Sequence, residues 1–251
     1  MSARWLPIEE LKFAARSGFL THDLWVRFFA GNHDRSWNSR RWHRLIRDKW
    51  FVMHPSLLSP KVIVPNVKNI QVQCICVSGI EMPPYIAQLK HDEILYEGLL
   101  QLKQKDVLRE FVSDCDLRRA EMFGSPRKAN VKLPDAIVTL KNGSLLAIEV
   151  ELTQKSLRRY REVMSAYKRR ENISAILIVA PHNTVLKGIF HAANHEGFDR
   201  SRIPIGFMSL SSWRDDSVDR QFSFGDTITT IRKLSNISGR IQEHIVPEMC
   251  E

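Results

Sequence analysis

The chain has 251 residues, 43% of them hydrophobic, more than one ordinary domain needs and enough for two cores. Its formal charge of +9 points to a polyanionic partner, because each lysine or arginine set on a nucleic acid releases counterions from the phosphates. No apolar run approaches the about 20 residues a membrane span requires. The four cysteines, Cys74, Cys76, Cys115 and Cys250, are scattered with no secretory segment ahead of them, which argues against a disulfide framework and for the cytoplasm. Cys74 and Cys76 lack a second ligand pair at finger-like spacing, so they read as strand residues rather than zinc ligands.

In chain order, "IEELKFAARSGFLT" carries Ile8, Leu11, Phe13 and Ala15 at helical spacing and stops at Ser17-Gly18. Thr21 is placed to cap a second helix, "THDLWVRFFAG", with Leu24, Trp25, Phe28 and Phe29 facing the core and an end at Gly31. A third helix starts near Ser36 or Asn38 in "SWNSRRWHRLIRDKWF", with Trp42, Leu45 and Ile46 inward and Arg40, Arg41, Arg44 and Arg47 on the other side. Two β-rich pieces follow, "WFVMHP" and "KVIVPN". Three helices and then a hairpin is the order of a winged helix-turn-helix, whose last helix enters the major groove. The arginine face has Asp48 as its only acid, whereas solvated helices interleave both signs. Asn38, Ser39 and Arg40 then sit where a recognition helix reaches base edges, and Arg41, Arg44 and Arg47 hold phosphates.

Residues 1–70 form this first domain, and 71–87, ending near Pro83-Pro84, form a linker. From 88 to 212 helices and strands alternate, which implies a mixed α/β sheet flanked by helices, with "IPIGFMSL" as its last strand. Residues 213–251 read as a polar C-terminal extension with one helix or strand around Ile228 to Leu234.

Within the second domain, "LPDAIVTLKNGSLLAIEVELTQKS" is a hydrophobic hairpin carrying Asp135, Glu149 and Glu151, with Lys155 just beyond. A two-residue Asn142-Gly143 turn sets Asp135 across from Val150 and throws the glutamates onto the other face. A three-residue loop, Lys141-Asn142-Gly143 with a left-handed glycine, sets Asp135 opposite Glu149. The apolar pattern favours the second register, since Ala136, Val138, Leu140, Leu146, Ile148, Val150 and Leu152 then make one continuous face. Opposed Cβ atoms lie roughly 5 Å apart, so two like charges there destabilise the sheet unless a cation sits between them. Oxygen donors suit Mg2+ or Mn2+, held by Asp135 and Glu149. In a basic chain this points to phosphodiester cleavage, with Glu151 orienting the attacking water and Lys155 neutralising the transition state. The bland reading places the acids on a solvent-facing strand surface, bridged by Arg158 or Arg159.

At these residues the sequence resembles the PD-(D/E)xK nuclease superfamily, whose core is a helix, three antiparallel strands, a helix and a further strand. Pro134-Asp135 matches the PD, and Glu149-Val150-Glu151 stands where (D/E)xK belongs, with Glu151 replacing the lysine and Lys155 as its migrated counterpart. More narrowly, "SGFLTHDLW", "HDEILYEGLL", "VSDCDLRR", "LPDAIV" and "IEVELTQKSLRRY" are similar to replication-relaxation and plasmid mobilisation proteins, which join a winged helix to a PD-(D/E)xK-like domain. The resemblance implies double-stranded plasmid or mobile-element DNA as partner, with relaxase-like nicking, and a homodimer or relaxosome proteins as further partners. His91, on the Leu95 and Leu99 stripe, and Asp114 are additional candidates near the acids. A tyrosine nucleophile is conceivable at Tyr160 or Tyr167, whose spacing equally fits helix packing. The alternative function is a binding protein, a repressor or a relaxosome or replication accessory factor, whose nuclease fold is inactive.

Overall fold

A computed structural model of the protein describes residues 6–54, 61–68, 86–114, 116–117, 133–170, 172–200, 202–224, 227–237 and 241. The chain divides into two compact units, residues 1–93 and 94–251. Among the described residues no helix is long and apolar enough to cross a membrane.

In the first unit, α1 (Ile8–Ser17) ends where Gly18 adopts a left-handed φ of 83° and its N–H bonds Ala14 O. The next residues form β1 (Leu20–Thr21), and the Thr21 hydroxyl caps α2 (His22–Phe28) by accepting from Leu24 N. That helix is shorter than its pattern suggests: Leu24 and Trp25 are buried, but Phe28 and Phe29 are only half-buried and the chain turns before Gly31. The third helix, α3 (Arg35–Arg47), starts earlier than expected because Asp34 accepts from Trp37 N at 2.8 Å and fixes the first turn. β2 (Phe51–Met53) and β3 (Val62–Pro65) then complete a three-stranded antiparallel sheet in the order β1-β3-β2.

The expected linker at 71–87 lies outside the described residues up to Tyr85. Helix α4 (Ile86–Gln104) follows, starting in the first unit and continuing into the second. The second unit is built on a seven-stranded mixed sheet. Its strands are β4 (Leu108–Ser113), β5 (Ala136–Leu140), β6 (Leu145–Val150), β7 (Ala175–Ala180), β8 (Ile205–Ser209), β9 (Phe222–Phe224) and β10 (Thr227–Thr229), in the spatial order β10-β9-β8-β7-β6-β5-β4. Only the central β6, β7 and β8 run parallel; the other pairings are antiparallel. Helices α5 (Leu157–Lys168) and α6 (Asn183–His195) make the crossovers between the parallel strands. They bury Tyr160, Val163, Met164, Tyr167, Val185 and Ile189 against Ala147, Ile176 and Ile178 of the sheet. On the other face of the β5–β6 hairpin, Ala136, Val138, Leu140, Leu146, Ile148 and Val150 are buried as well.

The sheet does not end at β8, and the described part of the expected C-terminal extension contributes two strands and a helix to the second unit. α7 (Leu210–Asp216) packs on α4: Trp213 is fully buried and its Nε1 donates to Ile94 O at 2.8 Å. Glu97, itself buried, takes a two-pronged ion pair from Arg214 at 2.6 and 3.0 Å. Beyond it, β9 and β10 add two short strands, and α8 (Ile231–Asn236) follows. Asn142, in the β5–β6 turn, donates to Leu234 O and Ile237 O and ties this end of the chain to the hairpin.

Candidate functional site

The β5–β6 turn has the three-residue form. Gly143 has φ 87°, its N–H bonds Leu140 O, and Leu140 N bonds Ser144 O. Asn142 Oδ1 accepts from Ser144 N and stiffens the loop. The ladder pairs Ala136 with Ile148 and Ile137 with Ala147, which extrapolates to Asp135 opposite Glu149. Before that pair is reached, Asp135 leaves the ladder: its Oδ2 accepts from Val150 N at 2.8 Å, while its own carbonyl takes the Asp114 N–H. Asp114 therefore reaches Asp135 through the backbone, continuing the Ser113–Ala136 pairing by one step.

Glu149 and Glu151 are not solvated. They are 1% and 3% exposed, at the carboxyl end of β6, which removes the reading of the acids as a solvent-facing strand surface. A carboxylate shielded from water needs donors or a cation, because burial strips its hydration. Glu149 Oε1 accepts from the Tyr167 hydroxyl at 2.7 Å. Burial above all, and then the negative charge of Glu149, push the Tyr167 hydroxyl far above its ordinary range, so it stays protonated and acts as a donor. Glu151 Oε1 accepts from Lys155 Nζ at 2.6 Å, four residues on. Its Oε2 is buried and meets no hydrogen-bond donor among the described residues. The Lys155 loop is pinned in turn, since Lys155 N donates to the Tyr160 hydroxyl at 3.0 Å. Burial raises the Tyr160 hydroxyl above its ordinary value despite that bond, and the Glu151 charge adds to the rise.

The expected site residues are thus brought together in part. Asp135 accepts from the N–H of Val150, the residue after Glu149, Glu149 meets Tyr167 of α5, and Lys155 has turned back to Glu151. Among the described residues, no group of three or more His, Cys, Asp or Glu side chains is gathered closely enough to hold a metal ion. The donors fit magnesium or manganese in chemical type, being hard oxygens, and the buried Glu151 Oε2 is an acceptor of the same kind. His91 engages groups of its own helix, with Nδ1 3.0 Å from Gln88 Nε2 and from Asp92 Oδ1. Tyr160 and Tyr167 are each 2% exposed and hydrogen-bonded into the acid site, so neither presents a nucleophile to a DNA phosphate. Their roles as partners of the site were not readable from the sequence beyond their shared helix face, seven residues apart.

In the first unit, α3 presents Ser39, Arg40, His43 and Arg47 to solvent. With Trp37, Arg41 and Arg44 they border a concavity of about 700 Å³. Asn38 is not among them. It is buried on the stripe of Trp42 and Leu45, and its Nδ2 donates to His33 O. The reason is the early Asp34 cap, which places Asn38 at the end of the first turn and on its inner side. Arg41 is partly committed inward, donating to the buried Glu10, which also accepts from Trp25 Nε1. Arg44 and Arg47 both hydrogen-bond Asp48. Partial burial works against the charged form of Asp48, but those two bonds outweigh it and hold its carboxyl below the ordinary value.

Neither a protein-family model nor a curated protein matches the sequence.

Proposed function

We propose that the protein binds double-stranded DNA, of the plasmid or mobile-element kind the resemblance suggests, through a winged helix in its first unit, and cleaves a phosphodiester with a PD-(D/E)xK-like site in its second. The observation that carries this reading is the placement of Glu149 and Glu151, two buried carboxylates, at the carboxyl end of a central strand beside Asp135 and Lys155. Buried acids are costly, and in open α/β sheets ligands bind at the carboxyl ends of the parallel strands. The element order supports both assignments: α1-β1-α2-α3-β2-β3 in the first unit, and α4, antiparallel β4-β5-β6, α5 and β7 in the second.

In this reading Asp135 and Glu149 hold magnesium or manganese, which when bound polarises the scissile phosphate and acidifies an attacking water. The residues of the chain do the rest. Tyr167 steadies Glu149, and the Val150 N–H steadies Asp135. Glu151 Oε2 accepts a proton from the water it orients, while Lys155 places its positive charge beside that carboxylate and the phosphate oxygens.

Supercoiled plasmid, incubated with the protein and magnesium or manganese, is expected to be nicked by the wild type. Nicking falls at least about 100-fold in Asp135→Ala and in Glu149→Ala, since each removes a group acting directly on the reacting centre. Equal nicking by wild type and variants ends the catalytic reading. A second reading, an inactive nuclease fold that serves DNA binding alone, is favoured by the Glu151–Lys155 ion pair, which occupies the residue standing where the catalytic lysine belongs. Binding without nicking in either metal selects it.

For the first unit, two of the α3 arginines expected to meet DNA are exposed, Arg40, expected at base edges, and Arg47, expected at phosphates. Arg40→Ala combined with Arg47→Ala is expected to weaken duplex binding and to flatten the slope of log affinity against log salt by about 1, close to 0.9 for the phosphate that Arg47 no longer neutralises. An unchanged slope removes α3 from the interface.

A further inference from the structure

A tyrosine turned into the core of α5 against the sheet is an expensive choice, because phenylalanine fills the same space without a hydroxyl to satisfy. Tyr167 lies among Val163, Met164, Ile173 and Ile178, an otherwise apolar cluster, and is 2% exposed. Its hydroxyl meets Glu149 Oε1 at 2.7 Å, a short bond of the kind formed when the acceptor is charged. Glu149 is itself 1% exposed and pairs with Ile178 in the sheet register, so its side chain rises from the strand beneath α5. The hydroxyl thereby selects which oxygen of Glu149 faces the helix and fixes the plane of the carboxylate. A ligating carboxylate that swings freely binds a cation weakly, whereas one held by an outer hydrogen bond is preorganised.

We propose that Tyr167 is a positioning residue for Glu149, holding its carboxylate in the orientation that binds the divalent cation. The assignment rests on the metal-dependent reading above and adds to it the residue that sets metal affinity from the opposite layer of the fold. Tyr167 does not touch the cation or the DNA. It acts only through Glu149, and its contribution vanishes once Glu149 no longer reaches it.

Calorimetric titration of the full chain with Mn2+ tests this. The wild type binds Mn2+; Tyr167→Phe binds it about 10 to 100-fold more weakly, the usual loss when the outer partner of a ligand is removed. In a Glu149→Asp background, whose shorter side chain falls short of the hydroxyl, Tyr167→Phe changes affinity by less than about twofold, since coupled residues lose their effect together. Restoring a hydroxyl at position 167 with 3-fluorotyrosine returns the affinity to within about threefold of the wild type, which a packing role alone does not explain and which stays informative if the phenylalanine variant folds poorly. Tyr167→Phe binding Mn2+ as tightly as the wild type, or losing equally in both backgrounds, overturns the positioning role and leaves the metal reading standing. A wild type that takes up no Mn2+ overturns the metal reading, and this assignment with it.

Discussion

Gly98→Ala is expected to lower the stability of the second unit by about 3 kcal/mol, at the upper end of overpacking costs. A Cβ at this position falls 1.9 Å from Trp213 Cε2 and 2.1 Å from Cζ2, far inside contact distance. The indole has nowhere to go. It is fully buried, it is held by its bond to Ile94 O, and the neighbouring Arg214 is clamped on Glu97. Alanine does favour a helix over glycine, but by no more than about 1 kcal/mol, which the clash exceeds. A thermal scan should show the unfolding midpoint fall by roughly 6–12 °C. An unshifted midpoint means that α4 and α7 do not meet as described.

Lys155→Met is expected to cost about 2 kcal/mol, because it leaves the Glu151 charge buried without its partner. The full penalty for orphaning a buried charge is larger, about 3–5 kcal/mol, but the Lys155 side chain is 36% exposed and water can reach its place. Combining Lys155→Met with Glu151→Gln should recover most of the loss, since the charge is then gone as well. Denaturant unfolding of the two variants decides the point. A neutral single variant, or a double variant no better than the single, means the pair is not the internal bond its 2.6 Å geometry describes.

The hairpin register was legible because two local signals agreed. Asn142-Gly143 offered two possible turns, and only the three-residue form kept the alternating apolar residues on one face. The Gly18 stop and the Thr21 cap were legible for the same reason, each being a local conformational demand. The burial of Glu149 and Glu151 was not, because what covers them, Tyr167 and the returning Lys155, arrives from tertiary packing. Asn38 misled because a short polar residue among arginines reads as surface, whereas its amide satisfies a backbone carbonyl inside. Around Ile228 to Leu234, where one helix or strand was expected, the chain forms both β10 and α8, whereas β9 escaped because it is three residues long and sits in polar sequence, with Phe222 and Phe224 marking its inward positions. Such short strands are specified by the sheet edge they meet rather than by their own periodicity.

The clasp between α4 and α7 also governs when the second unit can form during synthesis. Ile94 and its partner Trp213 are 119 residues apart in the chain. At the ribosome's pace of about 5–20 residues per second, α4 waits on the order of ten seconds for the indole that covers Gly98. Through that interval the carbonyl of Ile94 waits for the indole N–H and Glu97 for Arg214, so this part of the second unit closes only after the chain has been made past Arg214.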